Sequence, residues 1–206
     1  MRELKRHRSS LRAARGFTLF ELMIAVTIAG VLAAVAVPNL RVFSQNNRLS
    51  GASNELLRSF QIARSEAIKR QVPVTVCATA DPSPAVPTCS YGTFKTGWIV
   101  FQDSQTPAWQ TIASSQIIEK HAAVDATVSA KSDNDEIEVY GTTGFAFPNG
   151  TKNGSRNVVF CDVRGTGTSN GSSLARAVII RDTGRVRVSK VPADMTTAVA
   201  ATGACP

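Results

Sequence analysis

The residues best placed to do chemistry are cations near the C-terminal end. Between 151 and 190 the chain carries Lys152, Arg156, Arg164, Arg176, Arg181, Arg185, Arg187 and Lys190 against only Asp162 and Asp182, a net +6, whereas 71–150 sets three lysines against eight acids, a net −5. Arg181-Asp182-Thr183-Gly184-Arg185 has the composition of a tight hairpin turn, and from it Arg185, Arg187 and Ser189 alternate with Val186 and Val188. A strand of this period sends the valines to a core and both guanidiniums to the solvent face, about 7 Å apart. Neighbouring phosphates along a DNA strand have a similar separation, so the pair could hold the backbone without reading bases. The same spacing equally describes an edge strand kept from aggregating by positive charge.

Other chemistries find little support. Beyond residue 16 the histidine is His121, which could act as a general base, but neither a G-x-S-x-G elbow nor an H-E-x-x-H pair accompanies it. The run from Gly165 to Gly171 is spaced GxGxxxG with no Lys-Ser/Thr after it, which suits a hairpin loop better than a phosphate loop. Asp133, Asp135, Glu136 and Glu138 lack the glycine and terminal glutamate of an EF-hand, and a solvated edge is the simpler reading. Cys77, Cys89, Cys161 and Cys205 form no CxxC pair and have no histidine nearby, which argues against zinc and for disulfides, with three pairings open. The segment between Cys77 and Cys89 has three prolines and no apolar period, so a local Cys77–Cys89 staple is favoured. That leaves Cys161–Cys205 to pin the C-terminal tail onto a sheet, each bridge contributing about 2–4 kcal/mol. No catalytic residue, metal or cofactor is expected.

These groups need elements to carry them. The chain is 43% hydrophobic, 18% charged and 6% aromatic, which excludes disorder, collagen and coiled coil. In residues 41–70, Leu49, Ala52, Leu56, Phe60, Ala63 and Ala67 recur at helical spacing, a stripe able to lie on a sheet, with Arg48, Arg58, Arg64, Lys69 and Arg70 as a solvated face. Glu66 and Arg70 are spaced for an i,i+4 pair, Gly51 weakens the pattern locally, and Pro73 ends it. Everything beyond reads as strands and turns: 72–79, 97–102, 115–119, 136–140, 157–163, 175–181 and 185–189.

The N-terminal region has its own logic. Of the net +8, residues 1–16 supply +5, from six cations against Glu3. Phe17 to Leu40 follows with one charged residue in 24, long enough at about 1.5 Å per residue to cross a bilayer core of about 30 Å. The positive-inside rule leaves the N-terminus in the cytoplasm and exports the C-terminal bulk. Ala33-Ala34-Val35-Ala36 imitates a secretory cleavage site but leaves Glu21 unexplained. A carboxylate in such a helix usually has a partner. Cleavage after Gly16 would create one, a positive α-amine on Phe17, a helical turn from Glu21 or on a neighbouring copy.

The stretch Arg15-Gly16-Phe17-Thr18-Leu19-Phe20-Glu21-Leu22-Met23 resembles the class III leader junction of type IV pilins and type II secretion pseudopilins. Phe20 replaces the usual smaller aliphatic but stays apolar, and Pro38 stands where many members carry a helix-bending proline. The resemblance implies that prepilin peptidase cuts after Gly16, that Phe17 is N-methylated, and that Glu21 engages the amine of an adjacent subunit during assembly. The order of the apolar helix, the helix bearing ARSEAIKR, the strands VTVC and GWIVF, and the segments NVVFCDVRG and ARAVIIRDTGRVRV is similar to the GspH/FimT family. It implies an α+β pilin fold: a long N-terminal helix, half apolar and half amphipathic, packed on an antiparallel sheet. The expected divisions are a leader at 1–16, a transmembrane and filament-core helix at 17–40, and a head at 41–206.

One branch of that family comprises type II secretion minor pseudopilins. The other comprises minor type IV pilins, some of which bind DNA through Gly-Arg-x-Arg during natural transformation. Gly184-Arg185-Val186-Arg187 fits that motif. The expectation is therefore a FimT-like minor pilin with Gly184, Arg185, Arg187, Lys190, Arg181 and Arg176 facing double-stranded DNA, and major and minor pilins as partners. The subunit would sit in the inner membrane, head in the periplasm, before reaching the pilus and cell surface. A pseudopilus component is the alternative.

Overall fold

The computed structural model describes residues 16–85, 87–89, 93–102, 116–133, 137–148, 156–203 and 205. The chain divides into two units, Met1–Phe43 and Ser44–Pro206. A single helix, α1 (Leu19–Arg70), runs through both. In the first unit Thr18 caps it, its Oγ1 accepting the Glu21 backbone N–H at 3.2 Å. Residues 19–43 are exposed and almost wholly apolar, and this stretch is long and apolar enough to cross a membrane.

In the second unit α1 becomes amphipathic. Leu49, Ala52, Leu56, Phe60, Ala63 and Ala67, the six stripe residues, are all buried. The helix continues through Gly51, whose Cβ position is open space, and ends at Arg70 with Glu66 paired to both Lys69 and Arg70. Eleven strands follow among the described residues: β1 (Val74–Ala78), β2 (Trp98–Gln102), β3 (Ile117–His121), β4 (Ser129–Ser132), β5 (Ile137–Tyr140), β6 (Ala146–Pro148), β7 (Arg156–Cys161), β8 (Thr168–Ser169), β9 (Ser172–Ser173), β10 (Arg176–Ile180) and β11 (Val186–Ser189). They form sheets ordered β3-β2-β1-β5-β6, β11-β10-β7-β4 and β8-β9, with every pairing antiparallel.

The main core joins the α1 stripe to Val74, Val76, Trp98, Val100 and Tyr140 of the first sheet and to Val158, Phe160, Val178 and Ile180 of the second. One polar chain crosses it. Trp98 Nε1 donates to Ser59 Oγ at 2.9 Å, and Ser59 donates to Glu119 at 3.1 Å, which explains a buried serine beside the stripe.

The C-terminal residues depart from the expectation of strands and turns alone. Pro192–Thr202 is a second helix, α2, with proline in its first turn, where the missing N–H costs nothing. Its Met195 and Ala198 pack on Val159, Cys161, Ala177 and Ile179, the opposite face of β7 and β10 from α1. The second sheet is therefore covered on both faces, and every residue of β7 and β10 is buried. Cys161–Cys205 fastens the chain just beyond α2, with Cα atoms 6.2 Å apart, and Cys77–Cys89 closes the proline-rich loop, with Cα atoms 5.6 Å apart.

Candidate nucleic-acid interface

The turn between β10 and β11 carries the cations singled out above. Arg181 N–H donates to the Arg185 carbonyl at 3.0 Å, and Gly184 N–H to the Arg181 carbonyl at 2.7 Å, closing a tight loop with Gly184 at φ +73°. The register sets Ile180 opposite Val186 and Ile179 opposite Arg187. Val186 and Val188 accordingly pack on the main core, while Arg185, Arg187 and Lys190 are exposed. The turn borders an open cleft of about 560 Å³ lined by Arg181, Asp182, Thr183, Arg185, Val186 and Arg187.

A second contact holds the turn in place. Ala146 N–H of β6 donates to the Asp182 carbonyl at 3.1 Å, joining an edge of the first sheet to the hairpin of the second. Beside it, a Cβ on Gly184 would stand 1.9 Å from the Gly144 carbonyl oxygen. The glycine of Gly-Arg-x-Arg thus has a packing function independent of any ligand.

Of the six residues expected to face DNA, Gly184 is buried in the turn, and the five cations differ in their surroundings. Arg185 and Lys190 are exposed and have no side-chain partner among the described residues. Arg181 is exposed and near enough to Asp194 for its charge to be felt there. Arg187 is exposed but engaged: Nη1 and Nη2 donate to the two Asp194 oxygens at 2.7 and 2.9 Å. Its hydrogen bond to Asp194 raises the guanidinium above its usual range, while hydrogen bonds from Arg187 and Ser189 hold the Asp194 carboxyl below its own.

Arg176 does not belong to the surface, contrary to expectation. It is 7% exposed, and its Nη1 donates to the carbonyls of Ser173, Leu174 and Ala175. Burial, reinforced by the Arg164 charge, lowers its pKa against the pull of Asp162. Other cations of the segment also turn inward. Arg164 pairs with Asp162 at 2.6 Å and reaches Asn46 of α1 at 3.1 Å, and Arg156 lies 4.0 Å from Asp133. Lys152 lies outside the described residues. Among its described residues the +6 segment is therefore a narrow exposed rim beside inward-turned arginines held by Asp162, Asp133 and backbone carbonyls.

At the other end, Gly16, Phe17 and Glu21 are exposed, and the Glu21 carboxylate has no partner among the described residues. Arg15 lies outside them. His121 stacks on Trp98 with ring centroids 3.8 Å apart, places Nε2 3.1 Å from a Glu55 oxygen and sets Nδ1 2.8 Å from the Ala122 carbonyl. In the acidic stretch, Asp133 accepts the backbone and side-chain N–H groups of Asn157, Asp135 and Glu136 lie outside the described residues, and the Glu138 side chain is likewise not described. Asp194 was missed from sequence, although a Pro-x-Asp run after a strand is a signal for a helix start.

A helix apolar in one half and amphipathic in the other, covering a disulfide-pinned antiparallel head, defines a pilin-like structural subunit. The chain belongs to the GspH family: the family described as Type II transport protein GspH matches residues 52–184. The prokaryotic N-terminal methylation motif matches residues 11–37. Such proteins are structural and not enzymes. The type IV major pilin protein PilA of Myxococcus xanthus is 45% identical over 51 residues, 25% of this chain and 23% of that protein. A fimbrial protein of Pseudomonas aeruginosa is 41% identical over 46 residues, 22% of this chain and 30% of that one. The chain thus spans less than a third of the length of these relatives. Among solved structures, the minor pilin FimU of Pseudomonas aeruginosa is 22% identical with a TM-score of 0.49, covering 71% of this chain and 92% of that one. The minor pseudopilin EpsH of Vibrio cholerae is 8% identical with a TM-score of 0.44, covering 70% and 96%.

Proposed function

We propose that this protein is a FimT-like minor type IV pilin that enters the pilus and binds extracellular DNA without sequence preference during natural transformation. The observation that carries the reading is the exposed rim of Arg181, Arg185 and Arg187 around the hairpin cleft, with exposed Lys190 at the end of the same strand. Guanidiniums clustered at a hairpin turn match phosphates, which are present at every step of a duplex whatever its sequence, so contacts to the backbone are favoured over base edges. In this reading prepilin peptidase cuts between Gly16 and Phe17, Phe17 is methylated, and residues 17–40 anchor the subunit in the inner membrane with its head in the periplasm. Glu21 then pairs with the amine of a neighbouring pilin as the helix enters the filament core, and the head reaches the cell surface.

The second reading is a type II secretion minor pseudopilin, supported by the description of the matching family and by the Arg187–Asp194 pair, which removes one cation from the rim. DNA binding separates the two. Full-length protein in a neutral detergent should bind duplexes of unrelated sequence with similar affinity, weakening steeply as salt rises, with a slope of about −0.9 per phosphate contact. No binding at low salt would transfer the assignment to the pseudopilin.

A further inference from the structure

We propose that Arg64 of α1 belongs to the same phosphate-binding surface as Arg181 and Arg185, so that the DNA backbone lies across the helix as well as the hairpin. The inference rests on the DNA reading above and adds a contact from an element outside the Gly-Arg-x-Arg segment. From sequence, Arg64 is one of several cations on a solvated helix face. The fold distinguishes it from the others.

A Cβ built on Gly184 would stand 3.3 Å from Arg64 Nε, and one built on Gly144 would stand 3.2 Å from it. The guanidinium therefore lies against the two glycines whose missing side chains let the turns meet. Of the other cations in this half of α1, Arg48 reaches Asp125 at 3.5 Å and Lys69 and Arg70 share Glu66, whereas Arg58, like Arg64, has no ion-pair partner among the described residues; contact with the hairpin glycines is what sets Arg64 apart. Arg64 has no hydrogen-bond or ion-pair partner for its side chain among the described residues, although it is only partly exposed.

Arg64 Nε thus lies beside Gly184, the residue that precedes Arg185 in a turn closed by the Arg181 carbonyl. A phosphate backbone that reaches this turn would meet a guanidinium from the helix as well as those of the hairpin. Ile68, one turn beyond Arg64, lies 2.7 Å from where a Cβ on Gly144 would stand, so the same side of the helix meets the loop at 144. A surface drawn from a helix and a hairpin can follow successive phosphates farther than the hairpin alone.

The test is DNA binding against salt for full-length protein in neutral detergent, comparing wild type, Arg64→Gln, Arg64→Lys and Arg185→Gln on a labelled duplex. Arg64→Gln should weaken binding at low salt by about three- to tenfold and make the slope of log K against log salt shallower by about 0.9, and Arg64→Lys should restore the slope. If Arg64→Gln keeps the wild-type affinity and slope while Arg185→Gln loses both, the Arg64 contact is wrong and the DNA reading stands. Equal losses in Arg64→Gln and Arg64→Lys with a lowered thermal midpoint would make Arg64 a packing residue and overturn the inference. Wild type that binds no DNA removes the proposed function and this contact together.

Discussion

Arg187 and Asp194 form a two-pronged ion pair that ties β11 to the first turn of α2, with Ser189 Oγ also donating to the carboxylate at 2.6 Å. Asp194 meets two demands. It places negative charge at the N-terminal end of α2, where free N–H groups and the helix dipole favour it, and it fixes the orientation of Arg187. It also cancels one of the charges on which the proposed DNA contact depends.

Asp194→Asn should therefore strengthen DNA binding and steepen its salt dependence by about one phosphate contact, a slope change of about −0.9. It should also lower the thermal midpoint modestly, as should Arg187→Gln, which sequence alone would treat as neutral for the fold. Anisotropy titrations at several salt concentrations check the first part. Weaker binding in Asp194→Asn would mean that orienting Arg187 outweighs masking it.

Gly184→Ala should be strongly destabilising for two separable reasons. The left-handed φ of +73° costs a residue with a side chain about 1 kcal/mol, and the new Cβ would meet the Gly144 carbonyl at 1.9 Å, adding about 1–3 kcal/mol of overpacking. Gly171 supplies the control. Its φ is +75° but nothing lies within 4 Å of its Cβ position, so Gly171→Ala should cost only the backbone part. Urea melts of both variants measure the difference, and equal losses would contradict the steric account.

Asp162 should govern acid stability. Burial would push its carboxyl up, but hydrogen bonds from the Arg164 side chain and backbone, with the Arg164 and Arg176 charges, outweigh it and hold it below the usual range. A carboxyl lowered in the folded state contributes stability that is present above about pH 4 and fades as pH falls through the folded value. Asp162→Asn leaves Arg164 and Arg176 short of their counter-charge and should cost about 3–5 kcal/mol at neutral pH. Its melting point should then depend less on pH below about pH 4 than that of wild type.

How far the structure was legible from sequence depends on how many faces each element buries. The α1 stripe at 49, 52, 56, 60, 63 and 67 could be read because a helix with one buried face shows a clean period. The hairpin turn and the alternation of Val186 and Val188 with arginines were legible for the same reason, since β11 is an edge strand with one face covered. Arg176 was misread because β10 is buried on both sides, so alternation carries no information there and the arginine satisfies itself on nearby carbonyls. β4, with the sequence SAKS, has no strand propensity and exists because β7 pairs with it. α2 is rich in Thr, Ala and Val and lacks a side-chain cap, and it is its packing on the sheet that holds it.

That packing makes the Cys161–Cys205 bridge testable. It closes a separation of 44 residues, for which the chain-entropy model gives about 4 kcal/mol. The double change Cys161→Ser and Cys205→Ser should lower stability by up to that amount, with amide exchange rising most in 192–202. Uniform exchange across the head would show that α2 does not depend on the bridge.

The last prediction concerns Glu21, for which two roles compete. Thr18 and Glu21 have the spacing of a capping box, and Thr18 already accepts the Glu21 N–H, so the side chain could serve only to help start the helix. Glutamine can fill that role almost as well as glutamate. A charge-pairing role cannot be filled by glutamine, because the amide does not neutralise a positive amine. An unpaired carboxylate in a helix apolar enough to span a membrane is costly, about 2.5–3.5 kcal/mol when central, which gives an incoming amine a reason to meet it. Glu21→Gln should therefore leave membrane insertion and cleavage after Gly16 intact while reducing incorporation into sheared filaments as severely as Glu21→Ala. Filament incorporation of Glu21→Gln at the wild-type level would assign Glu21 to helix capping and remove the pairing with the Phe17 amine of a neighbour.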